Sequence, residues 1–374
     1  MWGVRLAESD QRRLEWVSSA VVSLLALVLG MVLIARGGLP LESAKRERSA
    51  QRGLAAPEWV EEDLQGVILC FWNAENFYDD ANDPKNSELL EDWFAANPDM
   101  VRAKADALAR TLLIQNGGRG PDIIALVAVE SRRALEILRD SLNATLADKD
   151  HYDGLIFRES AARGDLGPAI LTRLPIHDDL TRTFGSMRIL EAHVDAPTPS
   201  GAPLVVLVSR WPERDGDGSE PSRREYADTL FNVAKELDAA SLDIDLVLVG
   251  DFNDRPGDPP LDVSMHASPR VDDRLVQRHR DHEFTLLDVT HRLQNPSHAT
   301  YLAAGRRIMT DHILAAPGLL DDKGWSIAPE SARIVAINSN RILDRDPKRF
   351  GGPNFKGLRG PSDHFAVRVR FNVK

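Results

Sequence analysis

The stretch VLVGDFND, Val247 to Asp254, ends an apolar run on an acid and an amide two residues apart. Side chains alternate along an extended chain, so Asp251 and Asn253 point the same way at the end of such a strand. Gly250 before them lets a ligand or another backbone approach closely. The acid can orient or deprotonate a water, and the amide can donate to a phosphoryl oxygen. A plain strand-end turn is the competing reading, because DRPGDPP follows. PSDHFAV, Pro361 to Val367, puts Asp363 beside His364 just before the last apolar run. A lone histidine is more often structural than catalytic, but an acid–histidine pair at a strand mouth can line a pocket. ILCFWNAENF ends on Asn73, Glu75 and Asn76, and RRIMTDHILAA opens an apolar run with Asp311. Asp311 reads as a turn residue or as the carboxylate that fixes one tautomer of His364.

Another candidate is DIIALVAVES, Asp122 to Ser131. It is a strand-like apolar run whose only acid near the end is Glu130. NRILDRDPKRFGGPNFKGLRG, Asn340 to Gly360, gathers Arg349 and five other cations directly before PSDH. It reads as a solvated basic loop, or as a loop over the site that draws in an anionic substrate.

These residues need a scaffold of strands. Runs rich in Val, Ile and Leu recur: GVILCFW, DIIALVAV, DGLIFR, PAILTR, MRILEAHV, PLVVLVSRW, IDLVLVGDF, DHILAA and HFAVRVRFNV. Several are continuously apolar, which predicts strands buried on both faces. Helical spacing lies between some of them. Val101, Ala105, Leu108 and Leu112 share one face, as do Leu135, Leu138 and Leu142, and Leu230, Val233 and Leu237. The pattern predicts an α/β chain: a two-layer sandwich of mixed sheets with helices outside.

The N-terminal region has a different character. Val17 to Ala35 is free of charge over 19 residues. That length spans roughly the 30 Å hydrocarbon core as a helix. A cleaved signal peptide and a buried core helix are the other readings; no convincing cleavage site follows the run. The division predicted is an N-terminal segment 1–16, a transmembrane anchor 17–35, a linker 36–57 and a globular domain 58–374, with the protein held on a membrane by one pass. Positive-inside counting favours a cytoplasmic domain, while the usual arrangement of N-terminal anchors places it outside. The formal net charge of −11 makes general coating of polyanions a poor expectation. The single cysteine, Cys70, excludes an intramolecular disulfide and reads as a buried thiol.

Taken together and in order, Asn73/Glu75, Glu130, Asp251-x-Asn253 and Asp363-His364 resemble the endonuclease/exonuclease/phosphatase superfamily, which includes deoxyribonuclease I. The resemblance runs from about Val67 to the C-terminus. SRWPERDGDGSEPSRREYADTL and ATYLAAGRRIMTDHIL resemble further segments of that family. It implies a deoxyribonuclease I-like sandwich and a phosphoesterase that uses Mg²⁺ or Mn²⁺. By the same resemblance Asn73 touches the scissile phosphate, Glu75 and Asp363 serve the metal, Asp251 activates water and Asn253 holds the phosphate. His364, braced by Asp311, stabilises charge on the phosphoryl group. Asn76, Arg210 and Arg349 are expected to contact substrate, a phosphate ester drawn from nucleic acids, nucleotides or phospholipid headgroups.

The chain also departs from the family. The family carries Gln-Glu, with the Glu as its principal metal carboxylate, where this chain has Val127-Ala128. Glu130 shares the face of Ala128 in a regular strand but lies roughly 6–7 Å further on. It can serve as a ligand only if the strand end bends or the metal shifts. The family's Asn-His before Trp-Pro is Ser209-Arg210 here, and an arginine binds phosphate without giving up a proton. Two functions follow: a membrane-anchored metal-dependent phosphodiesterase, or a silent relative that binds a phosphorylated ligand in the same pocket.

Overall fold

The computed structural model describes residues 66–374 apart from 83–87, 160–165, 199–200, 215–218, 242–243, 270–283, 294–298, 322, 337–343 and 358. The expected anchor and linker lie outside the described residues. No helix among the described residues is long and apolar enough to cross a membrane.

The strands are β1 (Val67–Phe77), β2 (Ile123–Val129), β3 (Gly154–Phe157), β4 (Gly167–Thr172), β5 (Arg182–Thr183), β6 (Ile189–Val194), β7 (Leu204–Arg210) and β8 (Leu246–Asp251). They continue with β9 (Ala267–Ser268), β10 (Leu286–Asp288), β11 (Tyr301–Ala303), β12 (Arg306–Ile308), β13 (Asp311–Ala315), β14 (Trp325–Val335) and β15 (Ala366–Val373). One mixed sheet has the order β14-β15-β1-β2-β4-β3, a second β5-β6-β7-β8-β13-β10-β9, and β11 and β12 form a separate pair.

Period-two alternation explains the layering. Leu69 and Phe71 of β1, Ala125 and Val127 of β2, Val206 and Val208 of β7, and Val247 and Val249 of β8 meet in one core between the sheets. The intervening residues Cys70, Trp72, Ile124 and Leu126 face a second core. Helices α1 (Leu89–Ala96), α2 (Pro98–Leu113) and α3 (Arg132–Asn143) stand on this part of the chain. The apolar stripes Val101, Ala105, Leu108, Leu112 and Leu135, Leu138, Leu142 pack there. On the other sheet, Val205, Leu207, Leu246 and Leu248 pack under α4 (Ser219–Ala240) through Leu230 and Val233. The central strands β1, β2, β7 and β8 therefore bury both faces, as the unbroken apolar runs predict. Cys70 is fully buried, and burial pushes its thiol up to about 12.

Helix α1 and the strands β5, β9, β10, β11, β12 and β14 lie outside the apolar runs and helical stripes of the sequence. Helix α1 is short, and β14 reads WSIAPESARIV, with Pro329, Glu330 and Ser331 interrupting its apolar character. The register of β14 against β15 shifts between Ala328 and Arg333, so a bulge carries this polar insert.

Candidate active site

Register brings the chemistry to one end of the sandwich. Arg210 of β7 pairs with Asp251 of β8, and Asp251 pairs with Asp311 of β13. Three side chains far apart in sequence thus stand in one row of one sheet. The other sheet supplies Asn73 and Glu75 from β1. His364, just before β15, is fixed against β1: Trp72 Nε1 donates to its carbonyl at 2.8 Å, and Ser362 Oγ bridges the His364 amide and the Asn73 carbonyl.

Backbone strain concentrates at these strand ends. Glu75, Asn76, Ala128 and Asn253 all have left-handed backbones, with φ between 50° and 61°. A non-glycine residue there costs roughly 1–2 kcal/mol. The turn after β8 is locked by Asn253, whose amide N–H donates to Asp251 Oδ1 and whose Nδ2 donates to the Trp211 carbonyl.

Asn73, Asp251, His364 and Asp311 form a connected floor. Asn73 Nδ2 donates to Asp251 Oδ2 at 2.9 Å and lies 3.4 Å from His364 Nε2. His364 Nδ1 is 2.9 Å from Asp311 Oδ2, and its Nε2 is 3.9 Å from Asp251 Oδ2. Tyr301 stacks on the imidazole with ring centroids 4.5 Å apart. Burial alone favours the neutral ring, but the Asp311 and Asp251 carboxylates outweigh it and hold the His364 pKa up at about 10. Burial raises the pKa of Asp251, opposed by the His364 charge.

Above this floor is a cleft of about 710 Å³. Arg210, Arg214, Arg255, Arg306 and Arg349 line it. Glu75, Glu213, Asp251 and Asp363 are its acids, and Asn76 and Asn253 also border it. The expected residues Asn73, Glu75, Asn76, Arg210, Asp251, Asn253, Arg349, Asp363 and His364 are thus brought together, and Asp311 braces His364 from beneath.

Glu130 is a correction. It is absent from the cleft wall, and its Oε2 accepts the Asp79 amide at 2.7 Å. The left-handed backbone at Ala128 breaks the alternation that would have kept Glu130 on the same face. Asp79 in turn accepts from Ser131 Oγ, and Ser131 caps α3 by accepting the Ala134 amide. Glu130 therefore belongs to a structural junction between the end of β1 and the start of α3.

The Glu75 carboxylate is already enclosed. Oε2 accepts the Phe350 amide at 2.6 Å and Oε1 accepts Arg349 Nε at 3.2 Å. Lys104 Nζ donates to the Glu75 carbonyl and lies 3.9 Å from Oε2. Lys104 is 1% exposed; burial pulls its pKa down to about 8 against the pull of Glu75 and Asp363. It was missed in the sequence, yet it carried a signal. It falls three residues after Val101 and four before Leu108, a charge on the apolar stripe of α2.

Also missed was a buried support under the Asp251 turn. Asp254 accepts Arg223 Nε at 2.8 Å and pairs with Arg214 at 3.1 Å. His312, alongside Asp288, bonds the Asp254 carbonyl at 2.9 Å. Arg223 was legible only as one polar residue among many in a helix.

The residues expected for a hard dication do not compose its oxygen shell. Asp363 lines the cleft, but Ala128 offers no side-chain oxygen, Glu130 is engaged elsewhere, and both oxygens of Glu75 are taken. Asp251, Asp311 and His364 do present ligand atoms within 4.8 Å of one another and could hold a metal ion. In that cluster, however, the imidazole lies between two carboxylates, and an ion would displace this contact.

A family model described as "Endonuclease/Exonuclease/phosphatase family" matches residues 68–373. No curated protein matches the sequence. Among solved structures, truncated Caenorhabditis elegans TDP2 is similar, with 16% identity, 83% of this chain and 99% of that chain covered, and a TM-score of 0.46. Sphingomyelinase C from Streptomyces griseocarneus is 12% identical over 83% of this chain and 100% of its own, with a TM-score of 0.49. A mannosyl-6-phosphatase from Bacteroides thetaiotaomicron is 14% identical over 82% of this chain and 99% of its own, with a TM-score of 0.48.

Proposed function

The chain belongs to the endonuclease/exonuclease/phosphatase family, and from that premise we propose that it is a phosphoric ester hydrolase acting on phosphodiesters in the arginine-lined cleft. The observation that carries this is the connected floor Asn73–Asp251–His364–Asp311 beneath a wall rich in guanidinium groups. Arginine forks match the oxygens of a phosphoryl group. Arg210, Arg349 and Asn253 hold the ester, with Asn76 at the cleft edge. Asp251 takes a proton from the attacking water, whose oxygen forms a new bond to phosphorus as the P–O bond to the leaving group breaks. Its burial-raised pKa makes it a better base than an exposed aspartate. His364, kept cationic by Asp311, faces the negative charge that develops on the phosphoryl oxygens. The leaving alkoxide takes up a proton from solvent, and Asp251 returns its own to solvent. Asp363, at the cleft wall, positions the water. Because the residues do not compose a shell for Mg²⁺ or Mn²⁺ at Glu75, no step is assigned to that ion.

The uncharged stretch from Val17 to Ala35 supports a membrane anchor. Substrate is limited to the phosphate-ester class: nucleic acid, nucleotide or phospholipid headgroup.

The test is hydrolysis of bis-p-nitrophenyl phosphate by the full chain in detergent, with Mg²⁺, with Mn²⁺ and with chelator. Turnover in any of these, cut at least about 10³-fold in Asp251→Asn, is the expected result. Silence in all three sinks the hydrolase reading. A second reading, a silent relative that binds a phosphorylated ligand, is favoured by Ala128 and by the enclosure of Glu75. Saturable binding of the diester without turnover would establish it.

A further inference from the structure

The Glu75 end of the cleft contains an anion in a place built for a cation, and the cation is already there. Glu75 is 8% exposed, and a buried carboxylate needs positive charge or several donors beside it. Here it has both. Lys104 rises from α2 beneath it, Arg349 approaches from the cleft, and the Phe350 amide completes the set. Lys104 packs its stem in the interior, with Nζ 5.4 Å from the Phe350 ring centre. The strand that would bring a further carboxylate, β2, carries Ala128 one residue before its end, fully buried and with a left-handed backbone. The bend is present and the oxygen is not.

From these placements we infer that Lys104 and Arg349 take the place of a divalent cation at Glu75, so that the cleft receives its phosphate ester without a metal ion there. Lys104 is a positioning residue: it neutralises Glu75 from below and does not line the cleft. Arg349 lines the cleft while bonded to Glu75, so its guanidinium can meet the phosphoryl group with its orientation already set. Two monovalent cations fixed by the fold replace one exchangeable dication. The inference rests on the phosphate-ester reading for its ligand, but the charge exchange at Glu75 does not.

Two measurements on the full chain in detergent decide it. The first is the spin-resonance signal of free Mn²⁺ titrated with wild type, Glu75→Gln, and the double variant Ala128→Glu/Lys104→Met. The second is calorimetric binding of inorganic phosphate and of bis-p-nitrophenyl phosphate with Mg²⁺ and with chelator. Expected are no Mn²⁺ site in wild type that Glu75→Gln removes, and phosphate affinities equal within about twofold with and without Mg²⁺. Arg349→Met should weaken phosphate binding about tenfold, the loss of one charge-assisted fork. The double variant, which restores an oxygen and removes the resident charge, should gain Mn²⁺ binding; wild type alone decides the matter if that variant does not fold. A wild-type Mn²⁺ site abolished by Glu75→Gln overturns the inference and leaves the phosphate reading standing. Absence of phosphate binding in both buffers, beside a silent Mn²⁺ titration, sinks the phosphate reading and the ligand half of the inference with it.

Discussion

The cleft has two ends that balance charge in opposite ways. At one, a cation sits among anions: His364 lies between the carboxylates of Asp311 and Asp251. At the other, an anion sits among cations: Glu75 lies between Lys104 and Arg349. Both ends are buried, so neither charge survives without its partners. They differ in what remains to be done. At the His364 end, Asp251 stands 3.9 Å from the imidazole and has its pKa raised, an arrangement that can take up a proton. At the Glu75 end, both carboxylate oxygens are already engaged, by the Phe350 amide and Arg349. In the proposed reaction one end changes its protonation and the other holds still.

The sharpest way to break this contrast is to cut the brace at the reactive end. Asp311→Asn keeps the shape but removes the charge that fixes the ring and supports its positive form. Turnover of the diester should fall about 10²–10⁴-fold with little change in KM, as expected for a carboxylate that orients a catalytic imidazole. An equal loss in kcat/KM carried only by KM would place Asp311 in substrate binding instead.

The corresponding cut at the static end should show in stability first. Lys104→Met leaves Glu75 with Arg349, whose side chain is 59% exposed, as its remaining cation. Removing one partner of a buried pair costs about 3 kcal/mol, read as a lowered urea midpoint. Arg349→Met, on the exposed side, should cost less than about 1 kcal/mol. If the two variants are equally stable, Lys104 is not the main support of Glu75.

The pH dependence sharpens the comparison further. His364 has its pKa raised from the ordinary 6.5 to about 10. Its charge therefore stabilises the folded chain fully below about pH 6.5, and that contribution disappears as the pH rises through about 10. Lys104 is lowered from 10.5 to about 8, so its burial costs stability below pH 8, and the cost is relieved as the pH rises toward 10.5. The stability gap between wild type and His364→Gln should narrow between pH 6 and pH 10, on the order of 2 kcal/mol. A gap that does not move with pH would show that the ring folds neutral.

Most of the reactive end was legible in the sequence because its residues sit on strand ends. The alternation that predicts Asp251 and Asn253 on one side of a strand also predicts the core between the sheets. Register then places Arg210, Asp251 and Asp311 in a row without further information. The static end was harder to read. Its cation comes from α2, where one lysine on an apolar stripe is a weak signal, and its Arg349 comes from an irregular loop with no period at all. The bulge in β14 was missed for a similar reason, since Pro329 to Ser331 interrupts the pattern that marks a strand.

Glu130 shows how a single backbone angle overrides the pattern. A regular strand carries residues 128 and 130 on one face. With φ at 61°, Ala128 turns the chain, and Glu130 leaves the cleft to bond the Asp79 amide. If that is its whole role, Glu130→Gln should leave both ends of the cleft unchanged. Diester turnover and phosphate affinity should stay within about twofold of wild type, because the amide oxygen still accepts from Asp79. Stability should fall by less than about 1 kcal/mol, the difference between a charged and a neutral acceptor. A large loss of turnover or of phosphate affinity would instead return Glu130 to the cleft as a working carboxylate.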